Sequence, residues 1–321
     1  MNILITGGAG YIGTELVRHL TSLPEVKHVL VYDNLSRSSY NLFIGHRMET
    51  DKVQFVLGDL LDSRKLRKVL RDIDVVYHLA AKVTTPFDNS DSHFFEQVNH
   101  WGTAELVYAL EETPVKKLIF VSSAAVYGSS AEELDETAIP HPETFYGISK
   151  LRGESHVRRF SEGRNALVLR CGNVYGYSPS MRFDSVVNRF MFDANFNNRI
   201  SIHGNGRQHR SFIHIEKLVH ALAQAALREV PSGTYNLTDK NIQLLDLVEV
   251  LREIFPSLEF LFINQHLTMQ EMRLNPAGML SKYIALAPPS DLKDELIRFK
   301  EKFAFSSVTP DQREKAIGQG I

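Results

Sequence analysis

Short, strongly apolar runs punctuate the first half of the chain, and stretches of helical spacing separate them. Ile3-Leu4-Ile5 opens the series, followed by Val29-Leu30-Val31-Tyr32 and Val53-Gln54-Phe55-Val56-Leu57. Val75-Val76-Tyr77-His78-Leu79, Leu118-Ile119-Phe120-Val121 and Ala166-Leu167-Val168-Leu169 continue it. Runs of this length with little polar alternation read as strands buried on both faces. Between them, Ile12, Leu16, Val17 and Leu20 recur at helical intervals, and Leu61–Leu70, Phe94–Ala109 and Tyr146–Phe160 carry the same periodicity. Apolar strands alternating with amphipathic helices predict an α/β fold, a doubly wound parallel sheet of the Rossmann type.

The pattern changes after Asn173. Tyr175-Gly176-Tyr177-Ser178-Pro179 is turn-rich, Ile200–Gly206 reads as a short strand and loop, and Leu244–Ile254 as a helix. Residues 1–175 are therefore expected to form the dinucleotide-binding domain, with a strand at Thr234–Leu237 returning to its sheet. Residues 176–305 are expected to form a smaller C-terminal α/β substrate lobe. The polar stretch 306–321 is expected to be a disordered tail. Neither an internal repeat nor a low-complexity segment interrupts this reading.

Bulk composition narrows the class without changing it. A chain of 321 residues with 43% apolar and 23% charged residues has ordinary globular make-up. A net charge of −2 gives no reason to expect a nucleic-acid or membrane-surface partner. The single cysteine, Cys171, excludes an internal disulfide and is expected to be a buried, inert thiol. No apolar run approaches the ~18 residues of a membrane span. Met1–Ile5 leads straight into glycines, unlike a secretory leader, so a cytoplasmic protein is expected. No metal site is expected.

The end of the first strand is the first chemical signal. Thr6-Gly7-Gly8-Ala9-Gly10-Tyr11-Ile12-Gly13 places Gly8, Gly10 and Gly13, and equally Gly7, Gly10 and Gly13, between a strand and a helix. Glycines there allow a tight turn, close approach of backbone to a pyrophosphate, and close helix–strand packing. The helix N-terminus adds N–H donors and the positive end of its dipole. Asp33, 20 residues past Gly13, follows the second strand, where a carboxylate would accept hydrogen bonds from adenosine ribose hydroxyls. Such a carboxylate favours NAD over NADP, a preference that Arg37 slightly weakens. Asp59 also ends a strand at this edge, where it serves equally well as a cofactor contact or a helix N-cap.

Tyr146 and Lys150 form the second signal, because i and i+4 on a helix share a face. A free phenol titrates at about 10 and is a poor base at neutral pH. A neighbouring ammonium would stabilise the phenolate, and Lys150 could also hold a nicotinamide ribose. Ser122 and Ser123 close the fifth strand at the edge where ligands bind in such sheets. Loop capping is the favoured reading for Ser122. For Ser123, loop capping and a hydrogen bond to a reacting oxygen both stand on these residues alone.

With these motifs in place, the chain resembles the extended short-chain dehydrogenase/reductase family. Within it, the likeness is to the sugar-nucleotide epimerases of the UDP-glucose 4-epimerase kind. The matching residues are Thr6–Gly13, Asp33-Asn34-Leu35, Gly58-Asp59, His78–Ala81, Asn99-x-x-Gly102-Thr103, Ser122–Gly128, Tyr146–Lys150 and Arg170–Gly176. Gly204–His214 resembles the family's sugar-nucleotide segment, and no match is found from about residue 255 onward. The resemblance implies Ser123, Tyr146 and Lys150 as the catalytic set. It implies NAD as cofactor, held by Gly7, Gly10, Tyr11, Ile12, Gly13, Asp33, Asn34, Asp59, Leu60, Ala80 and Lys150. A nucleotide-diphosphate sugar would lie against Thr85, Ser123, Tyr146, Asn173 and Arg210, with Asn173 and Arg210 along the diphosphate.

Departures from the family pattern narrow the reaction. The family's 4,6-dehydratases carry Asp-Glu after the catalytic Ser or Thr, and related decarboxylases keep a Glu there. This chain has Ala124 and Ala125. Ser211 stands after Arg210 where the family usually has Asp, and Phe145 precedes Tyr146. The expected activity is NAD-dependent epimerisation, most simply at C4 through a transient keto-sugar, with Tyr146 as base. A nucleotide-sugar keto-reductase or dehydrogenase would use the same residues and release its cofactor. A non-catalytic cofactor-binding sensor is disfavoured by the intact Ser123, Tyr146 and Lys150. The family commonly forms homodimers through two helices per subunit, here Phe94–Glu111 and Tyr146–Phe160.

Overall fold

Each apolar run of the N-terminal half is a strand in the computed structural model, which describes residues 1–44, 50–83, 91–266, 269–286 and 290–303. The chain begins β1 (Asn2–Thr6), α1 (Tyr11–Thr21), β2 (His28–Asp33), β3 (Val53–Leu57), α2 (Ser63–Val69) and β4 (Val75–His78). It continues α3 (Ser92–Phe95), α4 (Gly102–Glu111), β5 (Lys117–Ser123), β6 (Glu133–Leu134), α5 (Phe145–Ser161), β7 (Asn165–Cys171) and β8 (Asn173–Tyr175). Next come α6 (Val186–Asn197), β9 (Arg199–His203), β10 (His209–His214), α7 (Ile215–Leu227), β11 (Gly233–Leu237), β12 (Lys240–Gln243) and α8 (Leu244–Ile254). The last elements are β13 (Glu259–Ile263), β14 (Arg273–Leu274) and α9 (Leu292–Glu301).

Seven strands form one parallel sheet in the order β3-β2-β1-β4-β5-β7-β11. Strand alternation sends Ile3 and Ile5 to one face with Leu16 and Leu20 of α1 and Leu218 and Leu222 of α7. Leu4 points to the other face, where Leu66 of α2, Leu106 of α4 and Val157 of α5 cover it. Strand order reverses between β1 and β4, opening a crevice at the carboxyl ends of the strands, where open α/β sheets bind ligands.

The stretch from Phe94 to Ala109, expected as one helix, is broken: a π-helical turn, Glu96–Trp101, separates α3 from α4. The wider turn accompanies an inward use of Asn99. Its side chain accepts from Lys82 N at 2.8 Å and donates to Lys82 O at 2.9 Å and to Ser149 Oγ at 3.0 Å. A π-turn at such a point re-aims a side chain that regular helical geometry would send elsewhere.

Three small sheets, β8-β10-β12, β9-β13 and β6-β14, lie beside the main one. A buried charge cluster ties α9 to them. Glu295, 1% exposed, lies 2.9 Å from Lys240 Nζ and 3.2 Å from Lys217 Nζ, while Asp239 sits 2.7 Å from Lys217 Nζ. Tyr175 donates its hydroxyl to Glu295. Two cations and two anions thus balance, with Lys217, Asp239 and Glu295 buried and Lys240 partly exposed, which is the condition for burying such charges. Thr85 and the tail from residue 306 lie outside the described residues.

Candidate active site

The glycine turn is shaped by contacts that no larger residue could make. Gly7 has φ +72°, and a Cβ there would stand 2.5 Å from the backbone nitrogen of Ala80. A Cβ on Gly13 would stand 2.5 Å from Gly7 O, so α1 packs directly on the turn. Gly10 caps α1 without a side-chain hydrogen bond, leaving the N–H groups of the first turn, including Tyr11, Ile12 and Gly13, for an incoming acceptor. Such a cradle fits a pyrophosphate. The Tyr11 ring turns away from it and donates to Gly176 O at 2.6 Å, so Tyr11 offers the cradle its backbone only.

Asp33 stands where the sequence spacing puts it, at the end of β2. Its carboxylate accepts from Ala9 N at 3.0 Å and Leu35 N at 2.8 Å. Each carboxylate oxygen retains acceptor capacity for a ribose hydroxyl. Asn34 donates to Asp59 at 2.9 Å, which links the ends of β2 and β3. Asp59 is not the N-cap of α2. Asp62 holds that position, accepting from Lys65 N at 3.1 Å. Leu60 is buried against Gly102, and Ala80 passes beneath Gly7.

Across the switch point, the end of β5 meets the start of α5. Thr144 caps α5 by accepting from Gly147 N at 3.0 Å, which orients the first turn carrying Tyr146. Burial pushes the Tyr146 phenol up from its ordinary value, while a hydrogen-bonding contact with Ser123 and the positive charge of Arg182 pull it back. Arg182 itself is held by Asp184, at 2.9 and 2.8 Å. Lys150 is 2% exposed, donates to Val121 O at 2.7 Å and lies 4.1 Å over the Phe120 ring. Burial draws its ammonium down to about 7, opposed by the charge of Glu154. Cys171, expected to be inert, is buried, with its thiol pushed up to about 12 by burial.

The capping expected of Ser122 falls to its neighbour. Ser123, not Ser122, caps the following turn, accepting from Ala125 N at 3.2 Å. Ser122 is buried and donates to Glu154 at 2.6 Å. Asn173 is exposed at the start of β8 and donates to Ser211 O at 3.1 Å. Arg210 lies half-buried on the neighbouring β10. Among the described residues no carboxylate is within ion-pair range of it. Burial lowers the guanidinium and Glu271 counters. The structure thus brings Ser123, Tyr146 and Lys150 to one strand end and puts Asn173 and Arg210 on adjacent strands.

The model of the NAD dependent epimerase/dehydratase family matches residues 3–238. This chain belongs to that family. Among its relatives, dTDP-D-glucose 4,6-dehydratase of Bos taurus is 31% identical over 262 residues, covering 78% of this chain and 72% of the relative. A putative UDP-glucose 4-epimerase of Methanocaldococcus jannaschii is 29% identical, over 66% of this chain and 69% of its own length. A solved UDP-glucuronic acid 4-epimerase from Bacillus cereus, in complex with UDP-glucuronic acid and NAD, superposes with a TM-score of 0.83. It is 26% identical and the match covers 94% of this chain and 98% of that one. UDP-N-acetylglucosamine 4-epimerase from Methanobrevibacter ruminantium M1 superposes with a TM-score of 0.83 at 25% identity, covering 94% and 97%. The chain is a member of an NAD-dependent enzyme family that acts on nucleotide sugars, as both 4-epimerases and 4,6-dehydratases.

Several residues that serve this site were given no role from the sequence. Glu154 extends the Tyr146-x-x-x-Lys150 spacing by another x-x-x step, a signal that was there to be read. Asn99 was read only as part of the Asn99-x-x-Gly102-Thr103 match, without its contacts to Lys82 and Ser149, and Arg182 gave no spacing signal.

Proposed function

We propose that this protein is an NAD-dependent nucleotide-sugar epimerase that inverts C4 through a transient keto-sugar. The observation that carries the reading is the end of β5. Ser123 lies in contact with the Tyr146 phenol there, and the next two side chains are the methyl groups of Ala124 and Ala125. Water elimination needs an acid and a base beside the sugar, and neither alanine supplies one. The glycine cradle and Asp33 hold NAD, with Asn34, Asp59, Leu60 and Ala80 along its adenosine side. Arg210 and Asn173 hold the substrate diphosphate, for which a guanidinium with no carboxylate in ion-pair range among the described residues is suited. Thr85 is proposed as a further contact to the sugar.

Bound NAD supplies the acceptor to which the ring hydride goes and from which it returns. Tyr146 takes the hydroxyl proton and later gives it back, Ser123 hydrogen-bonds the reacting oxygen, and Lys150 offsets the phenolate charge. Two surface rings, Trp101 at 54% and Tyr108 at 41% exposure, flank the α4–α5 face, which supports homodimer formation through that face.

The dehydratase reading has one observation in its favour, the mammalian relatives at 30–31% identity. Incubation with UDP-glucose, UDP-glucuronic acid, UDP-N-acetylglucosamine and dTDP-glucose separates the two. A C4 epimer formed with NAD retained near one per chain supports the proposal. A 4-keto-6-deoxy product, or stoichiometric release of NADH, refutes it.

A further inference from the structure

We propose that Glu154 is a positioning residue: paired with Arg170 in the dry layer beneath α5, it holds a fixed negative charge one helical turn from Lys150 and keeps that side chain an ammonium. Tyr146, Lys150 and Glu154 follow one another at i, i+4 and i+8 on α5, so they share a face. Lys150 and Glu154 are 2% and 0% exposed. They grip consecutive residues of β5. Lys150 Nζ donates to Val121 O at 2.7 Å, and Ser122 Oγ donates to Glu154 Oε1 at 2.6 Å.

Arg170 stands opposite Ser122 in the β5–β7 register and closes on the carboxylate from the other side, with Nε at 3.0 Å and Nη2 at 2.7 Å. Its guanidinium stacks on Tyr127, 4.7 Å from the ring centroid, and Tyr127 donates to Asn236 Oδ1 at 2.8 Å. Three hydrogen bonds fix the carboxylate, so its charge cannot swing away from Lys150.

Lys150 needs that charge because nothing else among the described residues supplies it. Glu154 from α5, Cys171 from β7 and His78 from β4 bear on it electrostatically, and Tyr146 stands one helical turn before it on α5. Burial pushes the Tyr146 phenol up, the Cys171 thiol up to about 12 and the His78 imidazole down to about 3, leaving all three neutral at neutral pH. His78 is further occupied by Thr6 Oγ1 at 2.7 Å and Thr103 Oγ1 at 2.9 Å. Among the described residues Glu154 is then the one carboxylate that raises the affinity of Lys150 for its proton. Without it, burial would draw the midpoint of Lys150 below about 7 and leave Tyr146 beside a neutral amine at neutral pH.

The inference rests on Lys150 as the cation of the proposed catalytic pair, but its test does not depend on activity. The side-chain carbons of lysine are labelled with carbon-13 at Cε, and the Lys150 resonance is assigned by its loss in Lys150→Arg. Its titration midpoint is then followed by NMR in the wild type, in Arg170→Gln and in the double variant E154Q/R170Q. The double variant avoids leaving Arg170 buried and unpaired. Arg170→Gln is expected to raise the midpoint, because the carboxylate is no longer partly neutralised. Going from Arg170→Gln to the double variant is expected to lower it by about one pH unit or more. Equal midpoints in those two variants, with native circular dichroism, would overturn the proposal. So would an Arg170→Gln midpoint at or below that of the wild type, an arm that stands even where the double variant does not fold. A shift of the expected sign in a protein with no epimerase activity would sink the proposed function and leave this inference standing.

Discussion

Replacing Lys150 with methionine should change the stability of the protein in a pH-dependent way whose sign is fixed by the site. Methionine matches the length of the lysine stem and carries no charge. Lys150 binds its proton with a midpoint of about 7 in the folded chain, against 10.5 for an unhindered lysine. Between those values the unfolded chain holds more protons, so the contribution of Lys150 to stability rises with pH. Below pH 7 both states are protonated and the fold bears the full cost of a buried cation. Each pH unit within the window is worth about 1.4 kcal/mol, so two units, from pH 7 to 9, give a ceiling of about 3 kcal/mol. Urea unfolding of both proteins at pH 6, 7, 8 and 9, with cofactor removed from each so that ligand linkage does not enter, measures the gap. Wild-type stability minus variant stability should grow by about 1–3 kcal/mol between pH 7 and 9. At pH 6 the methionine variant should equal or exceed the wild type, since a thioether replaces a desolvated charge. A gap that stays constant from pH 6 to 9 would refute the reasoning. Turnover by the same variant should fall about 100-fold or more, as for loss of an acid–base partner.

Gly13→Ala places a methyl group 2.5 Å from Gly7 O. It should cost about 1–3 kcal/mol of stability through overpacking and leave the purified protein with little NAD, read by melting and by mass spectrometry of the released cofactor. Full NAD occupancy would show that the turn is not the cradle. Arg210→Met should raise KM for the nucleotide sugar by about 10–100-fold, the worth of a charged hydrogen bond, with NAD occupancy unchanged. Cys171, its thiol held up to about 12 by burial, should resist iodoacetamide at pH 8 in the folded protein and react only after unfolding. Fast native-state labelling would contradict that burial.

The parts of this structure that could be read from the sequence are those governed by local pattern. The parallel sheet was legible because Ile3–Ile5, Val29–Tyr32 and Leu118–Val121 are apolar without alternation, which suits strands covered on both faces. The glycine turn was legible because glycine spacing reports a backbone constraint directly. The π-turn at Glu96–Trp101 was not, since hydrophobic periodicity does not distinguish i→i+4 from i→i+5 bonding, and Asn99 is re-aimed by contacts with Lys82 and Ser149. Which of two adjacent serines caps a turn depends on strand alternation at the very end of β5, a one-residue question that composition does not decide. The same holds for Asp59 and Asp62 at the start of α2. Helix α9 went unread although Leu292, Leu296 and Phe299 recur at helical spacing, and the charge of Arg182 acts on Tyr146 from a loop with no pattern of its own.

The cluster around Glu295 also sets an order of events on the ribosome. Lys217, Asp239 and Lys240 are synthesised first, and Glu295 follows Asp239 by 56 positions, 295 minus 239. At about 5–20 residues per second, the two lysines share a single carboxylate for roughly 3–11 s. The strand β11 has emerged by then, so the main sheet can close while the small sheets beside it still lack their last counter-ion. Over the same interval Phe192 and Phe196 lack Phe303, against which they pack in the finished protein. A nascent chain interrupted ahead of α9 therefore pairs a completed nucleotide-binding sheet with an open aromatic surface, the sort of half-finished molecule that chaperones retain and proteases remove.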